Sequence, residues 1–265
     1  MKIGFVGGGK MAEAIIAGLI KSKLALPGEI FASDVSVERQ KALTKKYRIH
    51  AYTSNAPIPS SAKVIVLAVK PQQMPEVLAE LAPAVTRHHV VISIAAGRKL
   101  AGIQAVLTRA RLIRVMPNIA CTVGEGMSAF CAGATATARD RRMVRKLLSC
   151  VGRAVELPED KFDVVTALSG SGPAFFTYLL DQLVKAATRE GLDRRVALLL
   201  AEQTMLGAAR LLLDKDMEPQ ELIDAVTSHK GTTAAGLAVL DTPATSKILG
   251  ATLKAAAKRS KELGV

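Results

Sequence analysis

The residues with the clearest chemical meaning lie near the start of the chain, where an apolar run is followed by Gly7, Gly8, Gly9, Lys10, Met11 and Ala12. This order matches G-x-G-x-x-A, in which the first glycine makes a tight turn and the second lets the backbone approach a pyrophosphate. The small third residue lets the next helix pack closely on the strand, and the helix N-terminus faces the phosphates. Because the motif follows a predicted strand and opens a predicted helix, it indicates a dinucleotide site.

The tip of the second predicted strand should lie beside the adenosine ribose of such a ligand. The sequence there is Ala32-Ser33-Asp34. Asp34 would favour the free 2′-hydroxyl of NAD(H), whereas Ser33 could hydrogen-bond the 2′-phosphate of NADP(H). Asp34 could equally belong to the N-cap region of the next helix. These residues alone leave the choice between the two cofactors open.

The elements that would position this site are short apolar runs separated by helical patterns. We expect strands at Ile3–Val6, Ile30–Ala32, Val64–Val69, Val90–Ile94 and Leu112–Val115. Helices are expected at Met11–Lys21, Val37–Tyr47, Met74–Leu81 and Leu100–Leu107. The strand runs are continuously apolar, which is typical of strands covered on both faces. The pattern predicts an α/β fold in which residues 1–157 form a Rossmann-type, doubly wound sheet.

After about residue 157 the strand-like runs end and long helices follow. Pro173–Ala187 repeats apolar residues at fourfold spacing, and Val196–Leu213 is apolar on almost every side. We therefore expect residues 158–265 to form an all-α domain. Such a small domain has little core in which to bury these helices, so a second subunit should cover part of them, making this a dimerisation domain. The alternative is that Val196–Leu213 lies at the centre of its own bundle.

The composition excludes several classes of protein. The net charge of +13 invites a nucleic-acid interpretation, but aromatic residues are only 3%, Trp is absent and the basic residues are spread along the chain. We therefore expect no nucleic-acid partner. An uncharged apolar stretch of about 18 residues is lacking, so a membrane span is not expected. Glycines interrupt the apolar run at the N-terminus, unlike a signal peptide.

The cysteines and histidines offer no metal-site spacing. The three cysteines are far apart in the sequence, which lacks a C-x-x-C motif, and the four histidines are scattered. We expect reduced thiols, no bound metal and a cytoplasmic protein.

Two segments that follow predicted strands carry further motifs, Ala68-Val69-Lys70-Pro71-Gln72 and Arg114-Val115-Met116-Pro117-Asn118. Two more lie in the helical half, at 167–175 and 225–241, and the latter contains Ser228-His229-Lys230-Gly231-Thr232-Thr233. Together they resemble the pyrroline-5-carboxylate reductase family over essentially the whole chain. Many members have Pro and Gly where this chain has His229 and Lys230, which affects the shape of that loop.

The resemblance implies reduction of a cyclic imine to L-proline, the last step of proline biosynthesis, with hydride from a nicotinamide dinucleotide. It implies NADP(H) as the preferred cofactor, with NAD(H) as the alternative. It also implies a homodimer and leaves open a larger ring. Together with the glycine motif it assigns cofactor binding to Gly7, Gly9, Lys10, Met11, Ser33, Asn55, Ala68, Val69, Lys70, Pro117 and Asn118.

The family's substrate carries a carboxylate and a C=N bond. The resemblance implies that the carboxylate is held by backbone N–H groups at the start of an apolar helix near Thr233, with Lys230 adding positive charge. The assigned substrate-binding residues are Ser228, Lys230, Gly231, Thr232 and Thr233. Thr232 or Thr233 could instead only cap the helix.

Thr233 is the expected catalytic residue, because the resemblance places its hydroxyl beside the ring nitrogen. A threonine is a poor acid at neutral pH, so it should orient the imine or relay a proton from water. His229 stands where the family usually has no titratable group, and we expect no catalytic role for it. The proton donor stays unassigned.

Two other functions fit parts of the sequence. One is a reductase of a different imine or of a β-hydroxyacid with the same two-domain plan, and β-hydroxyacid enzymes usually place a lysine in the long interdomain helix as the acid. Lys185 is the candidate, but it lies near the helix end, and the loop Gly231–Thr233 has no part in that chemistry. The other alternative is a basic nucleotide-sensing or nucleic-acid-binding protein that has lost catalysis.

Overall fold

A computed structural model describes residues 1–264 and divides them into an α/β part and a helical part. The strands are β1 (Ile3–Val6), β2 (Ile30–Ser33), β3 (His50–Tyr52), β4 (Val64–Leu67), β5 (Val90–Ser93), β6 (Arg111–Met116), β7 (Gly126–Ala132) and β8 (Gly152–Glu156). The helices between them are α1 (Lys10–Lys21), α2 (Val37–Tyr47), α3 (Pro57–Ser61), α4 (Met74–Leu81), α5 (Leu100–Val106) and α6 (Ala138–Leu148). Then follow α7 (Phe162–Val165), α8 (Gly172–Arg189), α9 (Arg194–Lys215), α10 (Pro219–Val226), α11 (Thr232–Leu240) and α12 (Pro243–Leu263).

Within residues 1–264, eight strands form one sheet in the order β3-β2-β1-β4-β5-β6-β7-β8. All neighbouring pairs are parallel except β6 and β7, which are antiparallel. Every residue of β1, β2, β4 and β5 is buried, because apolar side chains pack on both faces of the sheet. The predicted doubly wound sheet is confirmed. Its strand order reverses between β1 and β4, which places a crevice at the carboxyl ends of these strands.

The sequence missed three strands. β3 is only three residues long and partly exposed, and β8 is a half-exposed edge strand with the sequence GRAVE. Neither has the continuous apolar run of a central strand. β7 mixes small, polar and apolar residues in GMSAFCA, although its interior is buried. The strands expected to reach Val69 and Ile94 end two residues and one residue earlier, at Leu67 and Ser93.

Packing divides the chain elsewhere than at the predicted boundary after residue 157. Met1–Ser171, with the chain from Ala256 onward, forms one compact unit, and Gly172–Ala255 forms the other. The segment after residue 157 belongs to the first unit because Phe162 is buried and the Arg114 guanidinium lies 4.7 Å from its ring. Glu159 also accepts hydrogen bonds from Arg114 and from the Leu100 backbone. The domain boundary expected after residue 157 stays a prediction.

The last turns of α12 belong to the first unit for a similar reason. Ser260 is buried and its hydroxyl lies 2.8 Å from a carboxylate oxygen of Asp163. Gly97, in the loop after β5, has a positive φ of 76°, and a Cβ there would lie 2.9 Å from the Leu263 carbonyl oxygen. The C-terminal helix therefore packs on the loop after β5 at a position that requires glycine.

The helices of the second unit carry apolar side chains that the chain itself leaves exposed. Of the residues of α9, all of which the structure describes, Ala197 alone is buried, and Leu199 is 65% exposed. The alternative that this helix is the centre of its own bundle is therefore wrong for the single chain. Among residues 1–264, α9 is also the one helix long and apolar enough to span a membrane, a property that helices at subunit interfaces share. An exposed apolar surface of this kind is typical of an interface.

We predict that the parent protein self-associates through α9. Light scattering should give a particle mass that is a multiple of the 28.0 kDa chain. The double variant Leu199→Glu/Leu206→Glu places two charges on exposed apolar positions of α9 and should shift the mass towards the monomer. The control Ala101→Glu/Ala105→Glu adds the same charge to an exposed part of α5 and should keep the parent mass. A parent chain that stays monomeric at micromolar concentration would contradict the prediction.

Candidate active site

The turn after β1 needs glycine at its first position. Gly7 has a φ of 97°, and its N–H donates to the Ser33 carbonyl at 2.9 Å. A Cβ at Gly7 would lie 2.7 Å from the Ala68 carbonyl oxygen. The turn is thus packed against the backbone that leaves β4, and the predicted residues Gly7, Ala68 and Val69 lie together at the crevice between β1 and β4.

The start of α1 leaves room for a ligand. Gly9 is the N-cap of this helix, and among the described residues no side chain caps it by hydrogen bonding. A Cβ built at Gly9 would meet no atom of residues 1–264 within 4 Å. Lys10 is exposed and Met11 half-buried in the first turn. Open space in front of uncapped N–H groups, with a lysine beside it, fits a pyrophosphate.

Asp34 and Arg39 fix the middle of the glycine loop. The Gly8 N–H donates to Asp34 Oδ2 at 2.8 Å, and the Ser36 N–H donates to Asp34 Oδ1 at 2.9 Å. Arg39 donates to the Gly8 carbonyl and to the Glu13 carboxylate. Both oxygens of Asp34 therefore have partners inside the protein, in keeping with a role in the N-cap region of α2 and in the loop. The sequence pointed to Asp34 but gave no signal for Arg39, whose partners depend on tertiary packing.

The carboxylate of Glu13, which accepts from Arg39 beside the glycine loop, keeps its negative charge. Hydrogen bonds from Lys46 and Arg39 lower the pKa of the Glu13 carboxyl to about 2, although burial opposes the shift. Glu13 therefore stays ionised throughout the neutral range and keeps the Arg39 side chain against the loop.

Ser33 and Asn55 lie together at the adenosine side. Ser33 is buried, and its hydroxyl donates to Asn55 Oδ1 at 2.6 Å. The Asn55 amide in turn donates to Glu80 Oε2 at 2.6 Å. Ser33 thus orients Asn55, which is less buried. The predicted direct contact of Ser33 with a cofactor stays a prediction, and its hydroxyl would have to change partner to make it.

The loops after β4 and β5 are joined by an arginine that sequence reasoning missed. Arg98 donates from Nε at 3.0 Å and from Nη2 at 2.7 Å to the Pro71 carbonyl. Pro71 directly follows Lys70, which is exposed. The loop after β5 reaches the same sheet edge, so residues 94–97 belong to the crevice as well. The rule that ligands bind at the carboxyl ends of parallel strands could have indicated this loop.

Pro117 and Asn118 end β6 and hold the neighbouring segments. Pro117 is buried. The Asn118 side chain accepts from the Met127 N–H at 3.1 Å and donates to the Ser169 carbonyl at 3.1 Å. Ser169 lies in a π-helical turn, Thr166–Gly170, directly before α8. Such turns often occur at functional sites. Asn118 therefore fastens the turn, and its predicted contact with the cofactor stays a prediction.

The two buried cysteines of the first unit, Cys121 and Cys131, are poor nucleophiles. Burial raises the pKa of the Cys131 thiol to about 12 and also raises the pKa of Cys121. Both thiols stay protonated at neutral pH, and thiolate chemistry at either is excluded.

In the second unit, Ser228–Thr233 forms a turn that leads into α11. The Gly231 N–H donates to the Ser228 carbonyl at 3.0 Å, and Gly231 is the N-cap. Within residues 1–264, no side chain caps α11, and neither the Thr232 nor the Thr233 hydroxyl has a hydrogen-bond partner. The alternative that these threonines only cap the helix is therefore not what the structure shows. The helix begins at Thr232, one residue before the expected start.

Two backbone features shape this turn. Lys230 has a φ of 56°, in the left-handed region where glycine is usual, at the position where many family members have Gly. A Cβ at Gly231 would lie 2.2 Å from Ser228 Oγ and 3.1 Å from the Ser228 carbonyl oxygen, so a larger residue there would force the Ser228 side chain to move. Lys230 is exposed and directly precedes Gly231, the N-cap of α11. Free N–H groups, free hydroxyls and a lysine suit a small carboxylate.

We predict that Gly9→Val abolishes cofactor binding without unfolding the protein. The side chain would occupy the open space at the start of α1, where a Cβ meets no atom of the described chain within 4 Å. Dinucleotide affinity should fall by about 100-fold or more, since the backbone can no longer approach a pyrophosphate. Titration calorimetry measures the loss, and thermal unfolding checks that the fold survives. Unchanged affinity for NADPH and NADH would refute the assignment of this loop.

Comparison with known proteins agrees with both halves of the structure. Residues 159–263 match the model for pyrroline-5-carboxylate reductase dimerisation, and residues 2–97 match the model for NADP oxidoreductase, coenzyme F420-dependent. The chain is 44% identical to pyrroline-5-carboxylate reductase of Methanosarcina acetivorans, over 99% of this chain and 98% of that protein.

Two solved structures extend the similarity to the fold. A pyrroline-5-carboxylate reductase from Coxiella burnetii superimposes with a TM-score of 0.95 at 34% identity, over 100% of this chain and 98% of that one. Pyrroline carboxylate reductase from Plasmodium falciparum, solved with NADP bound, gives 0.87 at 28% identity, with the same coverage. The chain belongs to the pyrroline-5-carboxylate reductase family.

Proposed function

We propose that this protein is a pyrroline-5-carboxylate reductase that reduces the cyclic imine to L-proline, the last step of proline biosynthesis. The observation that carries the proposal is the uncapped start of α11 with its two unpaired threonine hydroxyls, in a chain that matches reductases over its full length. An imine acid requires a turn that binds its carboxylate. A β-hydroxyacid reductase also binds a carboxylate and differs in its catalytic lysine, and the candidate Lys185 has its ammonium paired with Asp181 at 2.7 Å on α8.

The first unit binds NADP(H), which supplies the hydride. Gly7 and Gly9 keep the backbone clear for the pyrophosphate, and Lys10 and Met11 begin the helix that faces it. Asn55, oriented by Ser33, serves the adenosine side. The match to an NADP oxidoreductase model supports NADP(H) as the preferred cofactor, and NAD(H) is the alternative.

The loops that follow β4, β5 and β6 complete the cofactor site in this proposal. Ala68, Val69 and Lys70 line the crevice beside the glycine turn, and Arg98 holds that loop through Pro71. Pro117 and Asn118 define the end of β6 near the π-helical turn. Direct contacts of these residues with the nicotinamide belong to the proposal.

The second unit binds the substrate. The N–H groups at the start of α11 donate hydrogen bonds to the carboxylate, and the Lys230 ammonium attracts it. Ser228 and Gly231 shape the turn, and the Thr232 hydroxyl adds a donor. Thr233 donates a hydrogen bond to the ring nitrogen and so orients the C=N bond. Its hydroxyl is too weak an acid to protonate the nitrogen alone, so water delivers the proton.

The assembly we propose is a cytoplasmic homodimer. The dimerisation-family match over 159–263 and the exposed apolar faces of α8 and α9 support self-association. A larger ring of dimers is the further possibility that the family suggests, and the distributed charge supports neither a nucleic acid nor a membrane as partner.

We predict that Thr233→Val slows imine reduction and leaves cofactor affinity nearly intact. Valine keeps the side-chain shape but removes a hydroxyl that has no other partner among the described residues. A lost hydrogen bond to a partly charged nitrogen costs about 1.5–3 kcal/mol, or roughly one to two decades in kcat/KM. Steady-state assays with pyrroline-5-carboxylate and NADPH measure the effect, and calorimetry measures cofactor affinity.

The matched control is Thr233→Ser, which keeps the hydroxyl and should retain most of the activity. A loss well beyond two decades in Thr233→Val would show that Thr233 takes part in proton transfer. Parent kinetics in Thr233→Val would place the imine site elsewhere and contradict the proposed mechanism.

A further inference from the structure

At the amino edge of the sheet, opposite the cofactor crevice, cationic residues lie just before neighbouring strands. Ile3 of β1 pairs with Val64 of β4, Val64 pairs with Val90 of β5, and Val90 pairs with Arg111 of β6. Ile3 is preceded by Lys2, Val64 by Lys63, and Val90 by the run Arg87-His88-His89. Adjacent strands lie about 4.8 Å apart, so these side chains start within about 15 Å of one another.

The edge is not flat but contains two adjoining hollows. The first, of about 380 Å³, is lined by cationic or histidine side chains and by apolar ones: Lys63, Arg87, His88, Arg111, Arg139, Met1, Val64, Val90 and Met143, with Asp140. The second, of about 840 Å³, shares Lys63 and His88 with it and adds Lys2. We call the first hollow the amino-edge cleft.

The positive charge of the amino-edge cleft is not balanced from within. Asp140 is its one acid in the described structure, and that carboxylate already accepts from the Thr137 N–H at 2.8 Å and lies 3.3 Å from Arg111 Nη1. The N-terminal ammonium is paired with Glu29. Among residues 1–264, Lys63, Arg87 and Arg139 have neither an ion pair nor a side-chain hydrogen bond. Three unpaired cations from three separate segments of the chain therefore line one hollow.

Cations at this edge could serve the structure alone, by complementing helix dipoles, and need not bind a ligand. In a doubly wound sheet the helix C-termini lie at the amino edge, and cations there complement the helix dipole. Lys63 follows α3 and Arg87 follows α4 in this way. Arg139 does not fit, because it lies in the first turn of α6, where a cation is unfavourable. The helix dipoles therefore do not explain the position of Arg139.

We propose that the amino-edge cleft binds a polyphosphate anion, either inorganic or the phosphate chain of a nucleotide. Guanidinium groups bind phosphate oxygens through two parallel hydrogen bonds, and Arg87 and Arg139 are both unpaired and exposed. Several negative charges on one ligand would neutralise Lys63, Arg87 and Arg139 together. The apolar residues Val64, Val90 and Met143 offer a surface for the base of a nucleotide. The site is separate from the dinucleotide crevice, which lies at the opposite edge of the sheet.

The test uses the full-length protein saturated with NADP⁺, so that the dinucleotide crevice is filled. Tripolyphosphate and ATP are titrated separately by calorimetry at about 0.15 M salt, where weak surface attraction is screened. The variant Arg87→Ser/Arg139→Ser removes two exposed cations that have no side-chain hydrogen bond or ion pair among residues 1–264. The control Arg153→Ser/Arg189→Ser removes the same charge outside the cleft, from two exposed arginines that have no side-chain hydrogen bond or ion pair in the described structure.

We expect saturable binding in the parent and in the control, and a loss of affinity of about 10-fold or more in the cleft variant. Tighter cleft-dependent binding of ATP than of tripolyphosphate would identify a nucleotide, and the reverse would identify an inorganic polyphosphate. The proposal is overturned if the parent shows no saturable binding or if both variants lose affinity equally. It is also overturned if the cleft variant only lowers the melting temperature and binds like the parent, which is the result for cations that serve the helix dipoles alone.

Discussion

The close approach of the Gly7 turn to the Ala68 carbonyl is the constraint on which the cofactor half depends. A Cβ at Gly7 would lie 2.7 Å from that oxygen, so the loops after β1 and β4 can pack only if the first is glycine with a positive φ. This packing brings the start of α1 to the point where the strand order reverses. Gly8 is then fixed from the other side by Asp34 and Arg39. The glycine loop is thus a rigid frame before any ligand binds.

The same physical device occurs in each half of the chain. Both α1 and α11 begin at a glycine N-cap, and in the part of the chain that the structure describes neither start is capped by a side chain. Each therefore keeps unsatisfied N–H groups and the positive end of a helix dipole for a ligand. A lysine stands beside each start, Lys10 in one case and Lys230 in the other. The ligands we propose for the two helix starts, a pyrophosphate at α1 and a carboxylate at α11, are both anions, so the same arrangement suits each of them.

The sequence predicted what depends on local pattern and missed what depends on tertiary partners. Continuous apolar runs indicated β1, β2, β4 and β5, and the glycine motif indicated the turn at Gly7. β3 and β8 escaped because edge strands lack the apolar signal. The start of α11 was found within one residue, but that its threonines are not caps could be seen only in the structure.

The predicted roles of Ser33 and Asn118 show the same limit. Ser33 is predicted to bind the cofactor from its place at the tip of the second strand, and Asn118 from family resemblance. In the structure their side chains bond inside the protein, Ser33 to Asn55 and Asn118 to Met127 and Ser169. Arg98 and Arg39 carried no signal, since a lone arginine has many possible partners. Sequence pattern therefore located the loops of the site, while the assignment of individual side chains required their neighbours.

The central claim is that this chain reduces a cyclic imine acid with a nicotinamide cofactor. The most direct measurement is the consumption of NADPH in the presence of pyrroline-5-carboxylate, with the product quantified as proline. We predict that NADPH is oxidised only when the imine is present and that one proline forms for each NADPH consumed. NADPH oxidation no faster with the imine than without it, in a protein shown to be folded and to bind the cofactor, would contradict the account.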